Sequence, residues 1–226
     1  MKFHTKLYDA LYKHHYKIRS VAKEILGINS IDHFSLDLVD PNDNMLFFSS
    51  TPSHGFEICK RGYGQYDGII SPYNYENHEF YWWKEAAHKK YADKIAKIRE
   101  DVLQLKHGFM LVRHWDNFYL IYSFATRSKT KSFDFQTKVV NEINYFFKMG
   151  DFVYQELKNI YASYCQPFEP PNIEVFYPFS GGKPPAHFSK HYKKTNARLL
   201  IPHTSKDKET NNVIYLNFSQ KKHREK

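Results

Sequence analysis

The sequence predicts an α+β domain, a central antiparallel sheet between helix layers, followed by an irregular basic extension. Two hairpin signatures and three stretches of helical periodicity carry that prediction, and a change of texture after residue 165 marks its end. The first helix is expected over residues 5–26, where Leu7, Tyr8, Leu11, Tyr12, Ile18, Val21, Ala22, Ile25 and Leu26 recur at spacings of three and four. Gly27 is placed to stop it. In IDHFSLDLVD, Phe34, Leu36 and Leu38 alternate with His33, Ser35 and Asp37, the period of a half-buried strand. Asp40-Pro41-Asn42-Asp43 reads as a turn, and Met45–Ser50 returns as the second strand.

A short helix is expected from Thr51-Pro52-Ser53 through Cys59, after which Gly62, Gly64, Gly68 and Pro72 break periodicity. A long helix is expected from Glu79 to Gln104, on the spacing of Trp82, Trp83, Ala86, Tyr91, Ile95, Ile98 and Val102. GFMLVRHW, the Asp116-Asn117 turn and FYLIYSFAT form the clearest hairpin. A last helix is expected over residues 133–162, with Gly150 marking a kink or break. Residues 1–165 thus form one domain. In 166–226, by contrast, seven of the ten prolines fall between Pro167 and Pro202, a density that reads as an extended linker with room for one short hairpin.

Composition excludes several classes. Apolar residues at 42% and charged residues at 25% support a packed core. No run reaches the ~20 apolar residues of a membrane span, and the amino terminus has no apolar h-region, so a cytoplasmic protein is expected, with specialised secretion also compatible. Two cysteines, Cys59 and Cys165, make neither a disulfide framework nor a four-cysteine zinc site. Residues 181–226 hold eleven Lys/Arg against three acids, so nearly all of the net charge of +9 sits in the tail.

Catalytic chemistry is hard to find. His14 and His15 diverge on a helix, and His187 and His191 follow Pro184-Pro185 without a zincin glutamate, so no metal site and no cofactor are expected. There is no nucleophile elbow and no Walker loop; Gly62-Tyr63-Gly64 lacks the third glycine of a dinucleotide fingerprint. Cys59 with His54 nearby is the one candidate nucleophile pair, against the plainer reading of a buried structural thiol. Rings, however, crowd residues 63–83. Tyr63, Tyr66, Trp82 and Trp83 with Asp67 among them have the make-up of a small-molecule pocket, in which Asp67 accepts a ligand N–H. Tyr122 and Ser123 of the second hairpin complete the candidate ligand set. In the tail, Lys190, Lys193, Lys194 and Arg198 mix with rings as in segments that track phosphate backbones, and equally as in a solvated linker.

Several strings together resemble a known family. Ile31–Val39 before a turn, Tyr66-Asp67-Gly68 ahead of Trp82-Trp83, Lys106-His107-Gly108-Phe109-Met110 opening a strand pair, and Asn141–Phe146 in a terminal helix look like the amino-terminal sensor domain of LuxR-type transcriptional regulators. That resemblance covers roughly residues 5–165 and implies a PAS/GAF-like sheet between helix layers, quorum-sensing ligand binding and dimerisation. It assigns Asp67 as the ligand acid and Trp82 or Trp83 as the second ligand ring, while Phe56 stands where the family has its first Trp. The helix-turn-helix start expected after Arg198–Pro202 is replaced by Ile214–Phe218 and His223-Arg224-Glu225. The leading expectation is a non-enzymatic regulatory domain without a DNA-binding module, which binds a small molecule or protein partner and pairs with itself or a related regulator. A nucleic-acid-associated protein acting through the tail and an enzyme using Cys59 or His54 are the alternatives.

Overall fold

The computed structural model describes residues 2–127 and 132–173, without the side chains of Ser53, Phe56, Cys59, Gln65 and Ser132. Its strands are β1 (Lys2–Phe3), β2 (His33–Val39), β3 (Asn44–Ser49), β4 (Phe80–Trp82), β5 (His107–Trp115) and β6 (Phe118–Thr126). The helices are α1 (Leu7–Lys23), α2 (Ser53–Lys60), α3 (Pro72–Asn77), α4 (Trp83–Ala86), α5 (Ala92–Leu103), α6 (Ser132–Asn141) and α7 (Ile143–Tyr164). The strands form one mixed sheet in the order β1-β3-β2-β6-β5-β4. All neighbours are antiparallel except the short parallel pair β1/β3 at one edge.

Both expected hairpins form, and local chemistry closes each. Asp40 Oδ1 accepts the amide N–H groups of Asn42 and Asn44 at 2.8 and 2.9 Å, which folds the chain back from β2 into β3. Between β5 and β6, Asp116 takes the left-handed conformation (φ +52°) that a tight hairpin needs. Gly27, at φ +86°, ends the α1 region as expected.

Sheet alternation then sorts the rings into two layers. Phe34, Leu36, Phe48, Trp82, Phe109, Tyr122 and Phe124 face α1, α6 and α7 in the main core. Met45, Tyr81, Met110, Val112 and Ile121 face the other way, onto Trp83, Ile69, Leu103 and Leu105. The sheet therefore lies between helix layers, and the packed body runs on to Ile173, with Tyr154 Oη donating to the carbonyl of Pro171 at 2.6 Å.

The expected helix over 79–104 is corrected by the structure. Its first part is β4, which pairs with β5 through Phe80–Leu111, Tyr81–Met110 and Trp82–Phe109. A helix cannot bury Phe80 and Trp82 on one side and Tyr81 on the opposite side, whereas a strand at the sheet edge does so by its period of two. The terminal helix breaks at Glu142 rather than at Gly150. Gly150 stays helical, and its missing side chain makes room for the Tyr122 ring: a Cβ there would come 2.2 Å from Tyr122 Cδ2. Gly108 is crowded in the same way on the opposite layer, where a Cβ would meet the Trp83 indole at 2.2 Å. Gly108→Ala should therefore cost at least the ~1–3 kcal/mol of an overpacked core. Urea denaturation followed by tryptophan emission checks this, and an unchanged midpoint would contradict the close approach.

Candidate functional site

Strand register across the sheet defines the site. On the face turned toward α2 and α5, one row runs Ser49, Ser35, Ser123, Met110, Tyr81 over β3, β2, β6, β5 and β4. The next row runs Phe47, Asp37, Ile121, Val112. The first row thus places three small polar side chains side by side where a core would normally set large apolar ones; Trp83 covers Ser123, and the volume over Ser35 and Ser49 is not filled. A cavity of about 420 Å³ lies there. Its floor is Ser35, Asp37, Met45, Phe47 and Ser49, its roof includes His54, Ile58, Ile69 and Ile70, and Leu7, Tyr8 and Leu11 of α1 stand at its edge.

Beside this cavity is a buried polar cluster. Arg99 of α5, 4% exposed, directs Nη2 to both oxygens of Asp67 at 2.6 and 2.7 Å and Nε to His54 Nε2 at 3.1 Å. Its guanidinium lies 4.5 Å from the Trp83 ring centroid, on which His54 also stacks at 4.9 Å. Trp83 Nε1 lies 3.2 Å from Ser123 Oγ and 3.1 Å from Met110 Sδ, so the indole roofs the serine at the centre of the row. Since His54 Nε2 accepts from Arg99, its proton sits on Nδ1. Burial, then the charges of His33 and Arg99, hold His54 well below the ordinary imidazole range. His33 is fully buried against His54 and Trp83, and burial first and the Arg99 charge second push it down to about 3. Among the described residues, neither His33 nitrogen has a hydrogen-bond partner.

The predicted ligand set is divided by the fold. Asp67, Trp83 and Ser123 come together in or beside the cavity wall. Trp82 and Tyr122 lie on the opposite face of the sheet, because each is one residue out of phase with the site row. There Tyr122 Oη donates to Asp151 Oδ1 at 2.8 Å, and Arg113 holds the same carboxylate at 2.6 and 2.7 Å. Tyr63 and Tyr66 pack with Tyr91 in a small cluster around Ile95 and Ile98. Asp67 is not the open acceptor of the sequence reading, since Arg99 already bonds both of its oxygens.

Sequence reasoning missed Arg99, Asp37, Ser35 and Ser49. The signal was present in HFSLDLV, whose polar alternate residues are buried: His33 is 0% and Asp37 4% exposed. The expected half-buried strand is buried on both faces, and polar residues on a covered face mark a site. Among the described residues no group of three or more metal-ligating side chains is placed to hold an ion, and no helix is long and apolar enough to cross a membrane. Lys190, Lys193, Lys194 and Arg198 lie outside the described residues, as does the Cys59 side chain.

No protein-family model and no curated protein matches the chain. Solved structures do. SdiA in complex with octanoyl-rac-glycerol is 14% identical over 66% of this chain and 60% of that one, with a TM-score of 0.41. Escherichia coli SdiA is 13% identical over 68% and 63%, with a TM-score of 0.42. CepR2 of Burkholderia cenocepacia, an N-acylhomoserine lactone-dependent LuxR family transcription factor, is 11% identical over 72% and 93%, with a TM-score of 0.40. The structural neighbours are LuxR-type regulators. The chain spans about 60% of the length of the SdiA chains. The likeness is distant, and the functional reading rests on the cavity itself.

Proposed function

We propose that this chain is a non-enzymatic regulatory domain, of the kind found at the amino terminus of LuxR-type regulators, that binds an amphipathic small molecule between the sheet and α2. One observation supports the reading above others: the cavity of about 420 Å³ over the Ser49–Ser35 row, within the size range of small-molecule sites. Its walls are mainly apolar, with a few polar groups to fix orientation, the division of labour expected for a ligand that is largely hydrocarbon.

Native mass spectrometry of freshly purified protein tests this directly, because a bound molecule adds mass that denaturation releases. Ser35→Leu should fill the floor of the cavity and abolish that adduct while leaving the fold intact. A ligand present at a hundred times its Kd stabilises the native state by about 2.7 kcal/mol. Thermal melts should therefore rise with ligand for the wild type and stay fixed for Ser35→Leu. A wild type that gains neither mass nor stability with any amphiphile overturns the proposal. Association with a second copy or a related chain is its other part, and sedimentation showing a monomer at all concentrations would remove that part.

A further inference from the structure

The ligand class is written in one wall residue. Asp37 projects from the middle of β2 into the cavity floor between Phe47 and Ile121, is 4% exposed, and among the described residues meets no hydrogen-bond or ion-pair partner. A carboxyl that faces a largely apolar cavity with no protein group to bond among the described residues destabilises the empty protein, since a polar group drawn out of bulk water needs a replacement partner. Such a group is retained where a ligand supplies the partner.

We infer that the cavity takes a cationic amphiphile, an apolar body carrying a protonated amine that ion-pairs with Asp37. This deepens the proposed function and rests on it. The charge pattern around Asp37 selects the sign. Asp67, from the turn opposite, contributes a carboxylate that Arg99 bonds through both oxygens. His54, from α2, lines the same space as a neutral imidazole. Ser35 and Ser49 flank it on the sheet, and Tyr81 on the same face donates its hydroxyl to the carbonyl of Ile69. From the opposite layer, Tyr161 donates to the carbonyl of Leu36. Among the described residues no Lys or Arg lines the cavity, so an anionic headgroup meets no countercharge while a cation meets an unpaired carboxyl.

Burial alone pushes Asp37 up to about 8, so the empty site holds a neutral acid at pH 7. An arriving ammonium restores the ionised form, and the Asp37 proton leaves to buffer. One O–H bond breaks at Asp37, one bond to hydrogen forms on the buffer base, and close to one proton is released per amine bound. A neutral ligand that merely accepts a hydrogen bond from the acid would release none.

The experiment titrates the full chain at pH 7 with n-nonylamine, 1-nonanol and nonanoate, by calorimetry in buffers of different ionisation enthalpy. The amine should bind at least tenfold tighter than the alcohol, with close to one proton released, and nonanoate should not bind. Asp37→Asn should erase the difference between amine and alcohol. The cationic assignment is overturned if the alcohol binds as well as the amine, if nonanoate binds, or if Asp37→Asn keeps the amine preference. In those cases binding itself still supports the cavity. If none of the three probes binds the wild type, the ligand-binding reading falls together with the inference.

Discussion

Asp67→Ala should cost the folded state about 3–5 kcal/mol, the loss typical when one partner of a buried ion pair is removed. The size follows from what is left behind. Arg99 is 4% exposed, and its Nη2 would lose both of its carboxylate contacts, at 2.6 and 2.7 Å. A guanidinium cannot shed its charge as a buried lysine can, so the charge stays in place with only His54 and the Trp83 face to oppose it. Arg99→Leu should be costly for the mirror reason, leaving the Asp67 carboxylate and His54 Nε2 without their donor. The double variant Asp67→Ala/Arg99→Leu, which removes both charges, should recover much of either loss. Urea unfolding of the four proteins yields the coupling energy. A coupling below about 1 kcal/mol, the value of an exposed pair, would mean that water reaches the pair and that the cluster is not the dry wall described above. The same variants bear on binding, because the pair holds Trp83 over Ser123 at the side of the cavity.

That ion pair also shows what a sequence can and cannot disclose. Asp67 stood out as a functional acid, but its partner lies 32 residues away in a helix whose length was misjudged. Asp67 therefore read as an open acceptor. Elements governed by local chemistry were legible: the Asp40 turn, the Asp116-Asn117 hairpin and the Gly27 stop each depend on a few adjacent residues. Elements governed by a partner strand were not. Phe80–Trp82 carries rings at every position, which suits a helix or an edge strand equally well, and only the exposed ladder of β5 decides between them. Once β4 is a strand, Trp82 and its neighbour Trp83 part to opposite layers, and one of two equivalent candidates leaves the site. Gly150 was similarly ambiguous, since close approach of Tyr122 and a helix break both call for glycine. The polar row of β2 was visible in sequence, but its meaning depended on α2 covering that face.

The covered polar groups should make stability peak near pH 6.5, and the sign of each limb identifies its residues. His33 has an ordinary value of 6.5 that burial and the Arg99 charge lower to about 3; His54 is lowered for the same kind of reason. Below 6.5 the unfolded chain binds protons that the folded one refuses, so both histidines add stability above that pH that is lost as the pH falls. Asp37 acts in the opposite direction. Its value rises from 3.8 to about 8 on burial, so the folded chain keeps a proton that the unfolded chain releases. Its contribution is fully present below 3.8 and is lost as the pH rises through 8. Each proton of difference changes stability by about 1.4 kcal/mol per pH unit. Under mildly acidic conditions two histidines outweigh one aspartate and stability rises with pH. Above 6.5 the unfolded histidines finish losing their protons, Asp37 comes to dominate, and stability should fall by about 1 kcal/mol between pH 6.5 and 8. Denaturant midpoints measured from pH 5 to 8 in the wild type and in Asp37→Asn separate the limbs. The variant should keep the rise and lose the fall, levelling off above pH 7. A wild type that gains stability between pH 7 and 8, or a variant that falls alongside it, would mean that Asp37 is ionised in the empty cavity. A cation would then have no proton to displace there, and the charge that the cavity offers its ligand would already be exposed.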